Sequence, residues 1–229
     1  MEKACFYGVS VGPGDPQLLT FRAAGVIAAC PVIAAPQTKG ENRTALQIAR
    51  QAVSLEGKEI LPLPFLMTRD PQLLRQSHQA LAGRVLSFLR QGKSVAMLNL
   101  GDISIYSTFS YLAELVEQAY FPTEWIPGVP SFCAVAAKLK TSLTVMDRPV
   151  QIIPAGYGDL QQALDWPGTK ILMKTGRAMP KVRQALRQAG LYEKTGLVQN
   201  CGLPEEKICR SLEEADDQPG YFTTMVVRE

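Results

Sequence analysis

Three apolar runs in this chain end in the same way. "ACFYGVSV" leads into "GPGDP", "SVAMLNL" into "GDISIYS", and "EWI" into "PGVPSF", so each time a glycine turn closes a strand-like segment and a helical spacing follows. Such turns, recurring where strands give way to helices, restrict the chain to architectures in which the two alternate. Two more extended runs, "PVIAAP" and "EILPLPF", sit between segments of helical spacing at 16–29, 42–53, 71–90, 107–118 and 130–140. Asp15 stands where an N-cap belongs, with Pro16 at the first helical position. A mainly parallel sheet is expected for this part.

The texture then changes. "VQIIPA", "KILMKT", "TGLVQN", "EKICRSL" and "YFTTMVVR" follow one another with short connections, and one strong helix (180–189) lies among them. Closely spaced strands of this kind predict a second α/β unit on a mixed sheet. The expectation is therefore an α/β protein of two domains, 1–139 and 140–229, without a linker of low complexity or a fixed repeat.

The chain has 229 residues, enough for two small cores, and its 46% apolar and 20% charged residues are ordinary for a soluble globular protein. A net charge of +3 is too weak an argument for nucleic acid but suits an acidic ligand. Cys5, Cys30, Cys133, Cys201 and Cys209 form no C-x-x-C pair, so they are expected as reduced, mostly buried thiols of an intracellular protein. No charged leader with a long apolar segment opens the sequence, and no run reaches the ~20 apolar residues of a membrane-spanning helix. A cytoplasmic location is expected. His78, the one histidine, lies among polar residues and is expected as a lone surface side chain.

"GVSVGPGDPQLLT" does not have the spacing of a dinucleotide fingerprint, and the next strand-like run ends without the acid that would hold a ribose. The common Rossmann-type methyltransferase pattern fails for the same missing acid, and no G-K-[ST] is present for a P-loop. The glycines could be tight-turn chemistry alone. Three such turns at the carboxyl ends of one sheet, however, are where an open α/β sheet holds its ligand. Gly101 would let backbone approach a ligand, and Asp102 would offer an acceptor or fix the turn.

"GPGDPQLLT", "LNLGDISIYSTFSYL" and "IPGVPSFCAVAA", in this order, resemble the tetrapyrrole (corrin and porphyrin) methyltransferases. "GDISIYSTFSYL", "PGVPSFCA", "LMKTGR" and the terminal "YFTTMVV" are most similar to the subgroup acting at carbon 20 of precorrin-2 or cobalt-factor II. The resemblance implies an S-adenosylmethionine-dependent enzyme of cobalamin biosynthesis, a homodimer with two α/β domains and a cleft between them. It places Pro13 at the rim of the substrate trough and Leu100, Gly101, Asp102, Ile103 and Ile105 in the cofactor turn. Pro130 and Ser131 fall where the family usually has Thr-Ser. Met173 or Lys174, Cys201 and Thr223 fall where its second domain meets adenosine. Tyr106, adjacent to the turn, is the candidate for moving a proton or orienting the macrocycle.

The family's substrate carries eight carboxylates, and basic residues are available to meet them. Between Trp166 and Tyr192 there is no acid but six Lys or Arg, including Arg177 and Lys181; Arg183 and Arg187 are four apart and should repel unless an anion joins them. Lys39, Arg43 and Arg69 lie in loops of the first domain. No histidine pair or metal-spaced cysteines suggest a protein metal site, so any metal is expected to arrive inside the substrate. The alternatives are a methylase of the same superfamily acting on another corrin position, on diphthine or on ribosomal RNA, and a non-catalytic tetrapyrrole-binding protein.

Overall fold

The computed structural model describes residues 3–37, 44–156 and 158–228. The chain forms two compact units, Met1–Pro130 and Ser131–Glu229.

The first unit is built on five strands, β1 (Phe6–Ser10), β2 (Val32–Gln37), β3 (Glu59–Pro64), β4 (Val95–Asn99) and β5 (Thr123–Ile126), in the order β3-β2-β4-β1-β5. All neighbours are parallel. Residues 95–98 of β4 are wholly buried, as expected of a central strand covered on both faces. The prolines of "EILPLP" are tolerated because β3 is an edge strand, where a missing N–H breaks few ladder bonds.

Helices α3 (Pro71–Leu89) and α4 (Phe109–Gln118) pack on the face that carries Phe6, Val32, Val95 and Met97. Ala23 and Ile27 of α1 (Phe21–Ala29) and Leu46, Ile48 and Ala49 of α2 (Thr44–Ala52) are buried as well. These two helices cover the other face, where Ala96 and Leu98 point by strand alternation. The chain therefore leaves β1 toward one face and the adjacent β4 toward the other. In sheets of this kind the point where neighbouring strands lead to opposite faces is the usual ligand position.

In the second unit β6 (Val150–Pro154), β7 (Thr169–Met173), β8 (Thr195–Gln199), β9 (Lys207–Cys209) and β10 (Thr223–Val227) lie in the order β6-β7-β10-β8-β9. Only β6 and β7 are parallel, so the sheet is mixed. Met179, Val182 and Leu186 of α7 (Met179–Gln188) and Ala163 and Leu164 of the short α6 (Leu160–Leu164) cover one face. Helix α5 (Ser131–Leu139) packs on β10 and β8.

Several local differences have physical causes. The single helix expected over 16–29 is two pieces: a 3-10 turn, Pro16–Leu18, capped by Asp15, then α1 capped by the Thr20 hydroxyl. Each cap satisfies its own set of end N–H groups. The division between units falls at 130/131, not near 139, because α5 belongs to the second sheet; Leu139 lies against Gly196, and Lys138 pairs with Glu206 at 2.8 Å. His78 is half-buried, its ring stacked on Tyr111 at 4.7 Å, and is no lone surface residue. Cys133 is exposed, whereas Cys30, Cys201 and Cys209 are buried and Cys5 is half-buried. Among the described residues no helix is long and apolar enough to cross a membrane.

Candidate functional site

The carboxyl ends of β1, β4 and β5 are tied to one another. The β1 turn meets the β4 turn through an antiparallel bridge between Gly12 and Gly101, in which the Gly101 N–H donates to the Gly12 carbonyl at 2.8 Å. The Val11 N–H donates to the Asn99 carbonyl at 2.9 Å. Gly101 holds φ +75°, the left-handed region that a side chain would strain. The Asn99 amide closes the turn from within by donating to the carbonyls of Leu100 and Asp102 at 3.0 and 3.1 Å.

Asp102 is the joint between the β4 and β5 turns. One carboxylate oxygen accepts the Ser104 N–H at 2.8 Å and the Ser104 hydroxyl; the other accepts the Gly128 N–H at 2.8 Å. Burial alone would raise its pKa, but the bonds from Gly128 and Ser104 favour the charged form and hold the carboxyl below the usual carboxylate range. The fully buried Ser10 adds a second joint, its hydroxyl oxygen accepting the Ile103 N–H at 2.8 Å.

Of the expected cofactor residues, Leu100, Gly101, Asp102, Ile103 and Ile105 form this one turn. Pro13 is buried, although a rim position was expected. Pro130 and Ser131 follow the β5 turn and are half-buried, with Ser131 opening α5. Tyr106 is about half-exposed and holds φ +52°, rare for a bulky residue and common at functional sites. Burial pushes its phenol above the ordinary value, so the hydroxyl is protonated at neutral pH. It is suited to donate a hydrogen bond, not to remove a proton.

In the second unit the register brings the candidates to one end of the sheet. Thr224 faces Met173 and Thr223 faces Gln199, and the Asn200 N–H donates to the Phe222 carbonyl at 2.8 Å, so Met173, Lys174, Cys201 and Thr223 are near neighbours. Lys174 and Asn200 both have positive φ, 59° and 50°. Burial lowers the Lys174 pKa and pushes the Cys201 thiol up to about 11.

The basic stretch divides. Arg183 donates to Asp217 at 2.7 Å and to the carbonyls of Leu212 and Ala215 at 3.1 and 2.6 Å. Arg187 lies 4.2 Å above the Tyr192 ring and 3.9 Å from Glu213. Their expected repulsion is answered inside the unit, so it is no argument for an outside anion. Lys170 is buried within β7. Lys181 and Arg69 are exposed. Lys39, Arg43 and the side chain of Arg177 lie outside the described residues. Ser10 was not singled out in the sequence, because a serine ending an apolar run carries no local signal of a partner 93 residues away.

The chain is thus a two-unit α/β protein whose glycine turns are locked together at the carboxyl ends of a parallel sheet, where such sheets hold ligands, and comparison with known proteins says which family has this arrangement. Residues 5–216 match the Tetrapyrrole (Corrin/Porphyrin) Methylases. The chain belongs to that family. It is 32% identical to the cobalt-precorrin-2 C(20)-methyltransferase of Salmonella typhimurium, with 97% of this chain and 95% of that protein aligned. It is 33% identical to the probable cobalt-precorrin-2 C(20)-methyltransferase of Methanocaldococcus jannaschii, over 88% and 85%. A crystal structure of cobalt precorrin-4 methyltransferase has the same fold, with a TM-score of 0.80, 21% identity, and coverage of 98% and 94%.

Proposed function

We propose that this chain transfers a methyl group from S-adenosylmethionine to carbon 20 of precorrin-2 or of its cobalt-bearing counterpart (cobalt-precorrin-2 or cobalt-factor II) in cobalamin biosynthesis. The observation that carries this reading is the cluster of glycine turns at the ends of β1, β4 and β5 in a chain one-third identical to two proteins named for that reaction. Both names specify the cobalt-bearing substrate, which favours that form here.

The residues fit the methyl donor. With the Asp102 carboxylate occupied by Ser104 and Gly128, the turn offers main-chain groups and the half-buried side chains of Leu100 and Ile105. These suit the nucleoside and the aliphatic carbons of the donor, with main-chain groups left to meet its polar ends. The sulfonium of the donor supplies an already activated methyl group. What the protein must add is alignment of the two reactants, an effect worth up to ~7–11 kcal/mol in well-oriented reactions; as carbon 20 takes the methyl group, S-adenosylhomocysteine leaves and a base removes the carbon-20 proton. The turn holds one partner. The Tyr106 hydroxyl, protonated at neutral pH, donates to the macrocycle and orients it. Lys39, Arg43, Arg69, Arg177 and Lys181 are the candidates for meeting substrate carboxylates. In the second unit, Met173, Lys174, Cys201 and Thr223 are candidate adenosine contacts, and Pro13, Pro130 and Ser131 complete the first unit's set. We further read the protein as cytoplasmic and as a homodimer; light scattering at micromolar concentration tests the dimer.

The deciding experiment is product analysis with a carbon-13 methyl donor and reduced tetrapyrrole, with and without cobalt. NMR should place the label on carbon 20. A label on any other carbon, or on oxygen, would overturn the assignment.

A further inference from the structure

We propose that Ser10 and Asp102 are positioning residues for the methyl donor: their side chains hold the turn in its binding shape and do not contact the donor. This rests on reading residues 100–105 as the cofactor turn. Asp102 belongs to that turn by sequence, yet its carboxylate points into the protein. Both oxygens are engaged, one by Ser104 and the other by Gly128. The side chain could reach a ligand only by abandoning a hydrogen-bonded, largely buried position, at the cost of leaving donors unpaired. Ser10 is more hidden still, with no exposed surface.

Space dictates which residues can do this. A Cβ built on Gly128 would lie 2.5 Å from the Ser10 Cβ and 3.3 Å from the Gly101 carbonyl oxygen, so the three turns meet with no spare room. A small side chain is needed at position 10, and alanine would satisfy packing alone. Serine adds an acceptor at 2.8 Å for the Ile103 N–H, which has no route to water there. At position 102 an asparagine would keep the shape but turn an NH2 toward either Gly128 or Ser104, each of which presents an N–H. The charge and both oxygens are therefore required.

The effect falls on binding more than on folding. The core of the first unit is the Phe6, Met97, Phe109 and Leu112 cluster beneath α3 and α4, and of the residues these bonds hold only Ile103 belongs to it. A turn freed from its joints would have to be ordered each time the donor binds, and that ordering subtracts from affinity.

The test is calorimetric titration of S-adenosylhomocysteine into the full chain, together with the KM values of both substrates and the urea midpoint. Ser10→Ala and Asp102→Asn should each weaken binding about tenfold or more, as expected for a buried donor left unpaired. The double variant should lose less than the product of the two, since both joints hold one turn. The KM for the donor should rise while that for the tetrapyrrole holds. If Asp102→Asn does not fold, Ser104→Ala, which removes one donation from an exposed residue, should show the same selective loss at smaller amplitude. Wild-type affinity in folded variants would overturn the proposal alone, as would equal rises in both KM values alongside a lower midpoint. A wild-type chain that does not bind S-adenosylhomocysteine would overturn the cofactor reading and this proposal with it.

Discussion

Gly8 in β1 lies directly beneath the ring of Phe109: a Cβ on that glycine would sit 2.6 Å from Phe109 Cδ1. The ring has nowhere to move. It packs against Phe6 at 4.8 Å on one side and edge-on to Trp125 at 5.0 Å on another, and it is fully buried. Gly8→Ala should therefore destabilise the first unit by about 1–3 kcal/mol, the usual cost of overpacking. Urea denaturation reads this directly; an unchanged midpoint would show that the ring can yield.

Gly101→Val should abolish binding of S-adenosylhomocysteine in a chain that still folds. The position holds φ +75°, where a β-branched residue is strained by about 1–3 kcal/mol, and the turn would relax away from its bridge to Gly12. Calorimetry with unchanged affinity would remove this turn from the cofactor site.

Asp102 should make stability depend on pH in one direction only. Its folded pKa lies below the ordinary value of 3.8, so its contribution is fully present above 3.8 and is lost as pH falls through the lowered folded pKa. At neutral pH Asp102→Asn should be less stable than wild type, and the gap should close on acidification below pH 3.8. Parallel urea titrations across that range check it. A gap that stays constant would mean the carboxylate charge contributes nothing.

Arg183 and Lys181 should separate structure from recognition. Arg183→Ala removes charged hydrogen bonds from a side chain that is only 17% exposed, and should destabilise the second unit by about 1–3 kcal/mol without changing the tetrapyrrole KM. Lys181→Ala should do the reverse, raising KM most at low salt, where exposed charges are least screened. A KM effect confined to Arg183 would contradict the division drawn here.

The thiols should react in the order of their exposure. Cys133 is exposed and should be modified first by a thiol reagent at pH 8, while Cys30 and Cys201, pushed up to about 12 and about 11 by burial, should wait for unfolding. Mass mapping of partly modified protein tests this.

What could be read in the sequence was local. Strand-like runs such as "SVAMLNL" and "KILMKT", and the long helix after Asp70, formed within a residue or two of where their spacing puts them. The glycine turns were legible because glycine and proline carry their conformational meaning alone. Long-range partners were not. The apolar face of α5 shows that something covers it but not which sheet, and the structure places that helix with the second unit. Asp102 reads as an acceptor, yet Gly128, which makes it a joint, lies 26 residues on. Arg183 reads as part of a basic face, yet Asp217, which occupies it, lies 34 residues away.

The bridge between Gly12 and Gly101 is made of main-chain atoms only. A fastening of this kind is indifferent to the identity of the residues around it. Leu100 and Ile105, both half-buried, can be exchanged for other apolar residues without undoing it, because neither side chain is part of it. The scaffold thus leaves the two positions proposed to face the ligand open to drift while the frame behind them stays put. Libraries randomised at those two positions should accordingly yield folded chains that differ in what they prefer to bind, with little penalty in solubility or melting temperature.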